Sequence, residues 1–374
     1  MKIVLAPDKF KGTLTGFQFC DAVKAGILTV NPEASLVQLP LADGGDGTID
    51  VVNYYLKGKH VQVEVSNPFF KPIKASYLYS EVQQMAFIEM AEASGVKLLR
   101  PEQLDCKKAT TLGTGELIRD AIDRGAKQIL LGIGGSATND CGIGMATALG
   151  YRFLDKHNQE VKPIGANLSH IETIDATKVH PRLHTVSFKI ACDVTNPLYG
   201  KQGAAYVYAK QKGASFNDIK MLDDGLQRFS KVLKTVFGID SQRVEGAGAA
   251  GGMGMASKVF LKGELQSGIE LIKELANFEA HITNADWIIT GEGLLDVQTL
   301  SGKTIWGVTP AVKTKQCKVA ALCGAIDLNE DALKNLGIDY ADAVMNHAEN
   351  LEDAMQNSQA YVYKMAKIFA EKIM

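Results

Sequence analysis

The apolar positions of this chain fall into short runs, each ending in a polar, glycine-bearing loop, with stretches of helical spacing between them. Lys2 to Ala6 reads as a buried strand followed by the loop Pro7 to Leu14. Thr15, with Gln18 three residues on, forms a capping-box signal, and Cys20, Val23, Ile27 and Val30 then share one helical face before Pro32. A second apolar run, Leu36 to Leu41, empties into Ala42-Asp43-Gly44-Gly45-Asp46-Gly47-Thr48, and a helix is predicted from Ile49 to Leu56. This strand and helix alternation is that of a parallel sheet with flanking helices. From about Val61 to Ile88 the pattern changes. Val61, Val63 and Val65 alternate, and Ile73, Tyr77, Tyr79 and Phe87-Ile88 follow in runs broken by Asn67-Pro68 and Pro72, which predicts antiparallel strands.

Further along, a helix is expected from Thr114 to Arg124, a strand from Ile129 to Ile133 and a hairpin over Tyr151 to Val161. A strand from Thr185 to Ala191, a helix from Asn217 to Phe237 and a Gly/Ala-rich loop from Gly246 to Gly254 follow. The C-terminal part returns to the opening style. Trp287 to Thr290 feeds Gly291-Glu292-Gly293, Lys318 to Cys323 feeds Gly324-Ala325, and Ala341 to Met345 is a last short strand before a helix from Leu351. The expected fold class is therefore α/β. A parallel, Rossmann-like sheet domain is formed by both chain ends, 1–60 and 280–374, with a second α/β domain of mixed sheet inserted at 61–279 and a cleft between them.

Composition narrows the function. Forty Lys and Arg against 42 Asp and Glu leave a formal charge of −2, which provides neither a nucleic-acid footprint nor a cationic arm for a membrane. No run approaches the ~18 apolar residues of a membrane helix, and the opening strand is interrupted at once by Asp8-Lys9, unlike a signal peptide. Six cysteines without a C-x-x-C spacing read as buried thiols of a cytoplasmic protein. His180 and His184 stand four apart, but Pro181 between them argues against a helical zinc site.

The loops carry the chemistry. After the strand at 129–133, Gly134 and Gly135 can turn backbone N–H groups toward an anion, Ser136 and Thr138 add hydroxyls, and Asp140 could hold a cation. A helix starting there would add its positive dipole end. The same segment also reads as a capped strand-to-helix turn, or, through Gly132, Gly134 and Ala137, as a dinucleotide fingerprint. Four further polar loops follow predicted strands: Asp8-Lys9-Phe10-Lys11-Gly12, Asp43 to Gly47, Asp193 to Asn196, and Thr290 to Gly293. Parallel sheets place ligands outside the carboxyl ends of their strands, so such loops can converge. Phosphoryl transfer needs donors around phosphates, a carboxylate-held Mg²⁺ and a group that orients the attacking hydroxyl. The glycine loops suit the first, and Asp43, Asp46, Asp140, Asp193 and Glu292 are candidates for the others, with Lys9 and Lys11 supplying positive charge. Gly302-Lys303-Thr304 has the tail of a P-loop, but Val297 stands where its first glycine belongs. A dinucleotide-dependent oxidoreductase of a small hydroxy acid, and a non-enzymatic sensor of a small acid, are the competing readings. The lysines and carboxylates gathered in several loops favour a kinase over both.

Six segments carry a resemblance. Ala6 to Leu14, Pro40 to Thr48, Gly132 to Asp140, Ala191 to Leu198, Gly246 to Gly252 and Thr290 to Gly293, in that order, closely resemble the bacterial type I glycerate kinase family. The resemblance implies two α/β domains around a cleft and ATP-dependent phosphorylation of D-glycerate, usually at the 2-hydroxyl, with Mg²⁺. Carried over residue by residue, it makes Asp43, Asp193 and Lys9 catalytic, and Asp8, Lys11, Gly44, Gly45 and Asp46 contacts to substrate or phosphate. Gly134, Gly135, Ser136, Thr138, Gly248 and Gly251 become nucleotide contacts, and Asp193, Glu292 or Asp296 lies near Mg²⁺. Two departures stand out: Cys141 follows Asn139-Asp140 where glycine is expected, and Leu294 follows Gly-Glu-Gly where the family often has arginine.

Overall fold

Strands from the two chain ends meet in one five-stranded sheet. Across it run Tyr340–Ala343, Lys318–Cys323, Trp287–Thr290, Lys2–Leu5 and Ser35–Gln38, every neighbouring pair parallel. The coordinates are a computed structural model that describes residues 1–44, 47–296, 304–312 and 317–373. They divide the chain into two compact units, residues 1–55 with 268–374, and residues 56–267. The sequence pattern predicts these boundaries near 60 and 280. The second differs because helix Gly268–Leu275 belongs with the end-built unit, where Lys273 Nζ donates to the Gly307 carbonyl at 2.9 Å.

In the end-built unit the chain lays Ser35–Gln38 on one side of Lys2–Leu5 and the later strands of this sheet on the other. The sheet therefore reverses its direction of growth between Lys2–Leu5 and Trp287–Thr290. At such a point adjacent loops leave toward opposite faces, and a crevice opens at the carboxyl ends of the strands. The central strand is apolar because it is covered on both faces, with Ile3, Val4 and Leu5 fully buried. Helix Gly16–Val30 begins with the expected capping box: Gln18 N–H donates to Thr15 Oγ1 at 3.1 Å, and Thr15 N–H to Gln18 Oε1 at 2.9 Å. Its buried face, including Phe19, Val23 and Ile27, belongs to the same core cluster as Val362, Met365 and Phe369 of helix Ser358–Ile373. Gly26 permits that approach, since a Cβ there would lie 2.5 Å from the Tyr363 carbonyl oxygen.

The inserted unit has a six-stranded mixed sheet in the order Glu264–Gln266, Ser187–Ala191, Gln128–Gly132, Met85–Glu89, Pro72–Ser80, Lys59–Ser66. The first four are parallel; Pro72–Ser80 pairs antiparallel with both its neighbours. The valine alternation at 61, 63 and 65 is the period-two signal of that hairpin. The segment 151–161 folds back as the expected hairpin, with Leu154 bridging Glu160 antiparallel and Val161 N–H donating to the Phe153 carbonyl at 2.8 Å. Arg152–Leu154 also takes Thr173–Asp175 as an antiparallel partner, and 155–159 is a tight turn closed by the Asp155 N–H on the Gln159 carbonyl.

Candidate active site

Loops from the carboxyl ends of all five parallel strands of the end-built unit line one cavity of about 550 Å³. The first contributes Asp8, Lys9 and Lys11, the second Asp43, the third Glu292, the fourth Gly324-Ala325 and the fifth Val344-Met345. A smaller cavity of about 320 Å³ shares Asp8 and Lys9 and runs along the first turn of helix Gly16–Val30. Backbone bonds hold these loops together. Asp8 N–H donates to the Gly291 carbonyl at 2.9 Å, and Gly324 N–H to the Glu292 carbonyl at 3.0 Å. Gly291 must be glycine here, because a Cβ would sit 2.2 Å from the Leu322 carbonyl oxygen.

Asp8 is a buried acid of the crevice. Only 7% exposed, it accepts from Thr304 Oγ1 at 2.6 Å and from the Lys9 N–H at 2.7 Å. Burial pushes its pKa up from 3.8 to about 6; the Thr304 bond opposes this, the charge of Asp43 adds to it, and Lys9 opposes it. Glu292 is buried, Lys9 and Asp43 are partly exposed, and Lys11 is exposed. Gly44 continues the Asp43 loop at φ 95°, a left-handed conformation natural to glycine. Gly45 and Asp46 lie outside the described residues, as do Val297, Gly302 and Lys303. Asp296 is partly exposed and does not line either cavity.

In the inserted unit, Gly134 and Gly135 are exposed beyond the strand Gln128–Gly132. The Gly135 carbonyl accepts from Val96 N–H, and Ala137 N–H donates to the Ser94 carbonyl, both at 2.9 Å. Ser136 and Thr138 are buried behind the exposed glycines, and the Thr138 hydroxyl has no hydrogen-bond partner among the described residues. Behind them stands Lys212, whose ammonium donates to Ser136 Oγ and the Thr138 carbonyl. Sequence reasoning missed this residue: Gln211-Lys212-Gly213 follows no strand, and its 74- to 76-residue separation from the loop gives no local signal.

Three expectations change. Asp140 is fully buried, and its carboxylate accepts from Thr111 N–H and Oγ1, both at 2.8 Å, and from the N–H groups of Gly142 and Gly144 at 3.1 and 3.3 Å. It caps the following helix, so it is not a cation ligand. That helix, Ile143–Ala148, has only six residues and starts well beyond the glycines, which removes both the dipole argument and the helix a dinucleotide fingerprint requires. Gly248 and Gly251 are buried packing positions: Cβ atoms there would lie 2.2 Å from the carbonyl oxygens of Pro197 and Thr138. They shape the back of the loop instead of facing a nucleotide. Asp193 is exposed at the end of Ser187–Ala191. Among the described residues no three His, Cys, Asp or Glu side chains gather as a metal site.

A reversing parallel sheet whose crevice gathers two lysines and three carboxylates, with a glycine-serine loop in a second α/β unit, defines an enzyme of small polar substrates. The chain belongs to the glycerate kinase family, whose model matches residues 3–374. It is 40% identical to the glycerate kinase of Bacillus cereus over 99% of this chain and 97% of that protein. To the glycerate 2-kinase of Escherichia coli it is 38% identical, over 99% and 97%. Its fold is similar to a crystal structure of a protein from Salmonella typhimurium LT2, provisionally described as glycerate kinase 2, with a TM-score of 0.88 and 39% identity over 100% of this chain and 98% of the other. Among the described residues, no helix is long and apolar enough to cross a membrane.

Proposed function

We propose that this protein transfers the γ-phosphoryl group of ATP to D-glycerate, at the 2-hydroxyl, in the cytoplasm. The observation that carries the reading is the crevice of the end-built unit, where Asp8 sits with Lys9, Lys11, Asp43 and Glu292. Lys11, exposed at the mouth, and Lys9 offer ammonium donors for a carboxylate or phosphate. Asp8 is ionised at neutral pH, yet its pKa of about 6 lets it accept a proton from the attacking hydroxyl. Asp43 shares the cavity and orients that hydroxyl. In the inserted unit, the backbone N–H groups of Gly134 and Gly135 and the Ser136 hydroxyl are assigned to nucleotide phosphates, and Asp193 stays a candidate for orienting the attacking hydroxyl or for a place near Mg²⁺.

Mg²⁺ fits the donor chemistry of Glu292 and Asp43, hard carboxylate oxygens lining one cavity, and would supply charge neutralisation at the phosphates. The 2-hydroxyl is favoured by the similarity to the Escherichia coli glycerate 2-kinase. Incubation with ATP, Mg²⁺ and D-glycerate tests the reading. ADP release together with a 2-phosphoglycerate signal in ³¹P NMR supports it; absence of ADP defeats it, and a 3-phosphoglycerate signal overturns the regiochemistry alone.

A further inference from the structure

Lys212 is only 4% exposed, and its ammonium donates to Ser136 Oγ at 2.6 Å and to the Thr138 carbonyl at 2.9 Å. Neither partner is charged. A buried cation without an opposite charge in contact is costly to keep. Of the titratable groups that face it, the Asp140 charge favours the ammonium but makes no bond to it. The Cys106 thiol is held protonated by burial, and the Asp140 carboxylate is committed to Thr111, Gly142 and Gly144. In the same loop the Thr138 hydroxyl and both polar side-chain atoms of Asn139 are buried with no hydrogen-bond partner. Buried polar groups are nearly always satisfied, so this loop is organised around a polar guest.

The proton count at Ser136 shows what the lysine does. A serine hydroxyl has one hydrogen to give. When its oxygen accepts from an ammonium, that hydrogen must point elsewhere, and the adjacent charge makes it a stronger donor. When the amine is neutral it can accept the serine hydrogen itself, and the outward donor is lost.

We propose that Lys212 is a positioning residue for the nucleotide, fixing the 134–138 loop and turning the Ser136 hydroxyl into a donor to a phosphate oxygen. This rests on the reading that the loop holds the nucleotide phosphates. Burial lowers the Lys212 pKa to about 8, so the ammonium prevails at neutral pH and is lost just above it. Nucleotide affinity should accordingly be highest below pH 8 and fall as pH rises through it.

The test is direct ATP binding by calorimetry at pH 7 and pH 9, without glycerate, alongside steady-state kinetics over the same range. For the wild-type protein the Kd for ATP should rise about tenfold between the two, the limit set by one deprotonation. Ser136→Ala should bind ATP more weakly at pH 7 and lose the pH dependence. Lys212→Met should do the same, raising the KM for ATP while the KM for glycerate stays put, and Lys212→Arg should restore affinity at pH 9. A wild-type affinity that is flat across pH 8, or a Ser136→Ala protein as steep as wild type, overturns the proposal even if Lys212→Met does not fold. Gly134→Val separates the two claims, because its Cβ meets nothing within 4 Å and the residue is exposed. If Gly134→Val abolishes ATP binding and Lys212→Met leaves it intact, the role of Lys212 falls and the loop reading stands. If Gly134→Val binds ATP normally, the loop reading falls and the role of Lys212 goes with it.

Discussion

Replacing Asp8 by asparagine should abolish turnover and make the folded protein more stable at neutral pH. The carboxyl is buried, and its pKa is held at about 6 against an ordinary 3.8. Between those values the folded state binds the proton more tightly than the unfolded chain does. Stability is therefore unaffected by this group below 3.8, declines as pH rises through the window, and levels off above about 6. The penalty works out at about 1.5 kcal/mol at pH 5 and about 3 kcal/mol at pH 7.5. Asparagine cannot ionise and keeps the shape: its carbonyl can still accept from the Lys9 N–H, and its amide can donate to the Thr304 hydroxyl. The excess stability of Asp8→Asn over wild type should thus grow by about 1.5 kcal/mol from pH 5 to pH 7.5. Urea unfolding of both proteins at the two pH values measures it, with ADP release assayed in parallel. An excess that stays constant or shrinks would refute the argument from burial, and near-normal turnover would refute the catalytic role. A group that destabilises the fold yet is kept in a crevice is the expected mark of function.

Three further outcomes follow from other contacts. Thr304→Val removes the hydroxyl that stabilises ionised Asp8; a bond to a charged group is worth ~1.5–3 kcal/mol, so the acid limb of kcat/KM should move up from near pH 6 by about one to two units. An unmoved limb would dismiss Asp8 as the group reported in that profile. Asp140→Asn turns an amide N–H toward backbone donors that now share the carboxylate, and should lower stability by about 2–4 kcal/mol in chemical denaturation; a loss under about 0.5 kcal/mol would contradict the cap. Asp193→Asn should cut kcat by orders of magnitude with an unchanged circular dichroism spectrum, whereas near-normal kcat would strike it from the catalytic set.

Much of the local structure was legible in the pattern of residues. The strands Trp287–Thr290 and Lys318–Cys323 have the bounds their apolar runs announce, and the Thr15–Gln18 box closes as its spacing requires. The order of the motifs already resembled one kinase family. These signals survive in one dimension because periodicity, capping and loop composition act over a few residues. Other features were hidden for the opposite reason. Asp140 looks like a metal ligand until the Thr111 backbone, 29 positions away, is seen to occupy it. Glycines 248 and 251 look like phosphate contacts until the carbonyls of Pro197 and Thr138 are found against them.

The sequence by itself therefore determined the elements, the loops that end them and the family. The tertiary structure alone decided which polar groups lose their water. Asp8 becomes a weak acid because the surrounding loops bury it, against the pull of a bond from Thr304, 296 positions away, and Lys212 becomes part of a glycine loop because a fold closes over both. Desolvation and hydrogen-bond partnership depend on which distant groups arrive together, and no local pattern records that.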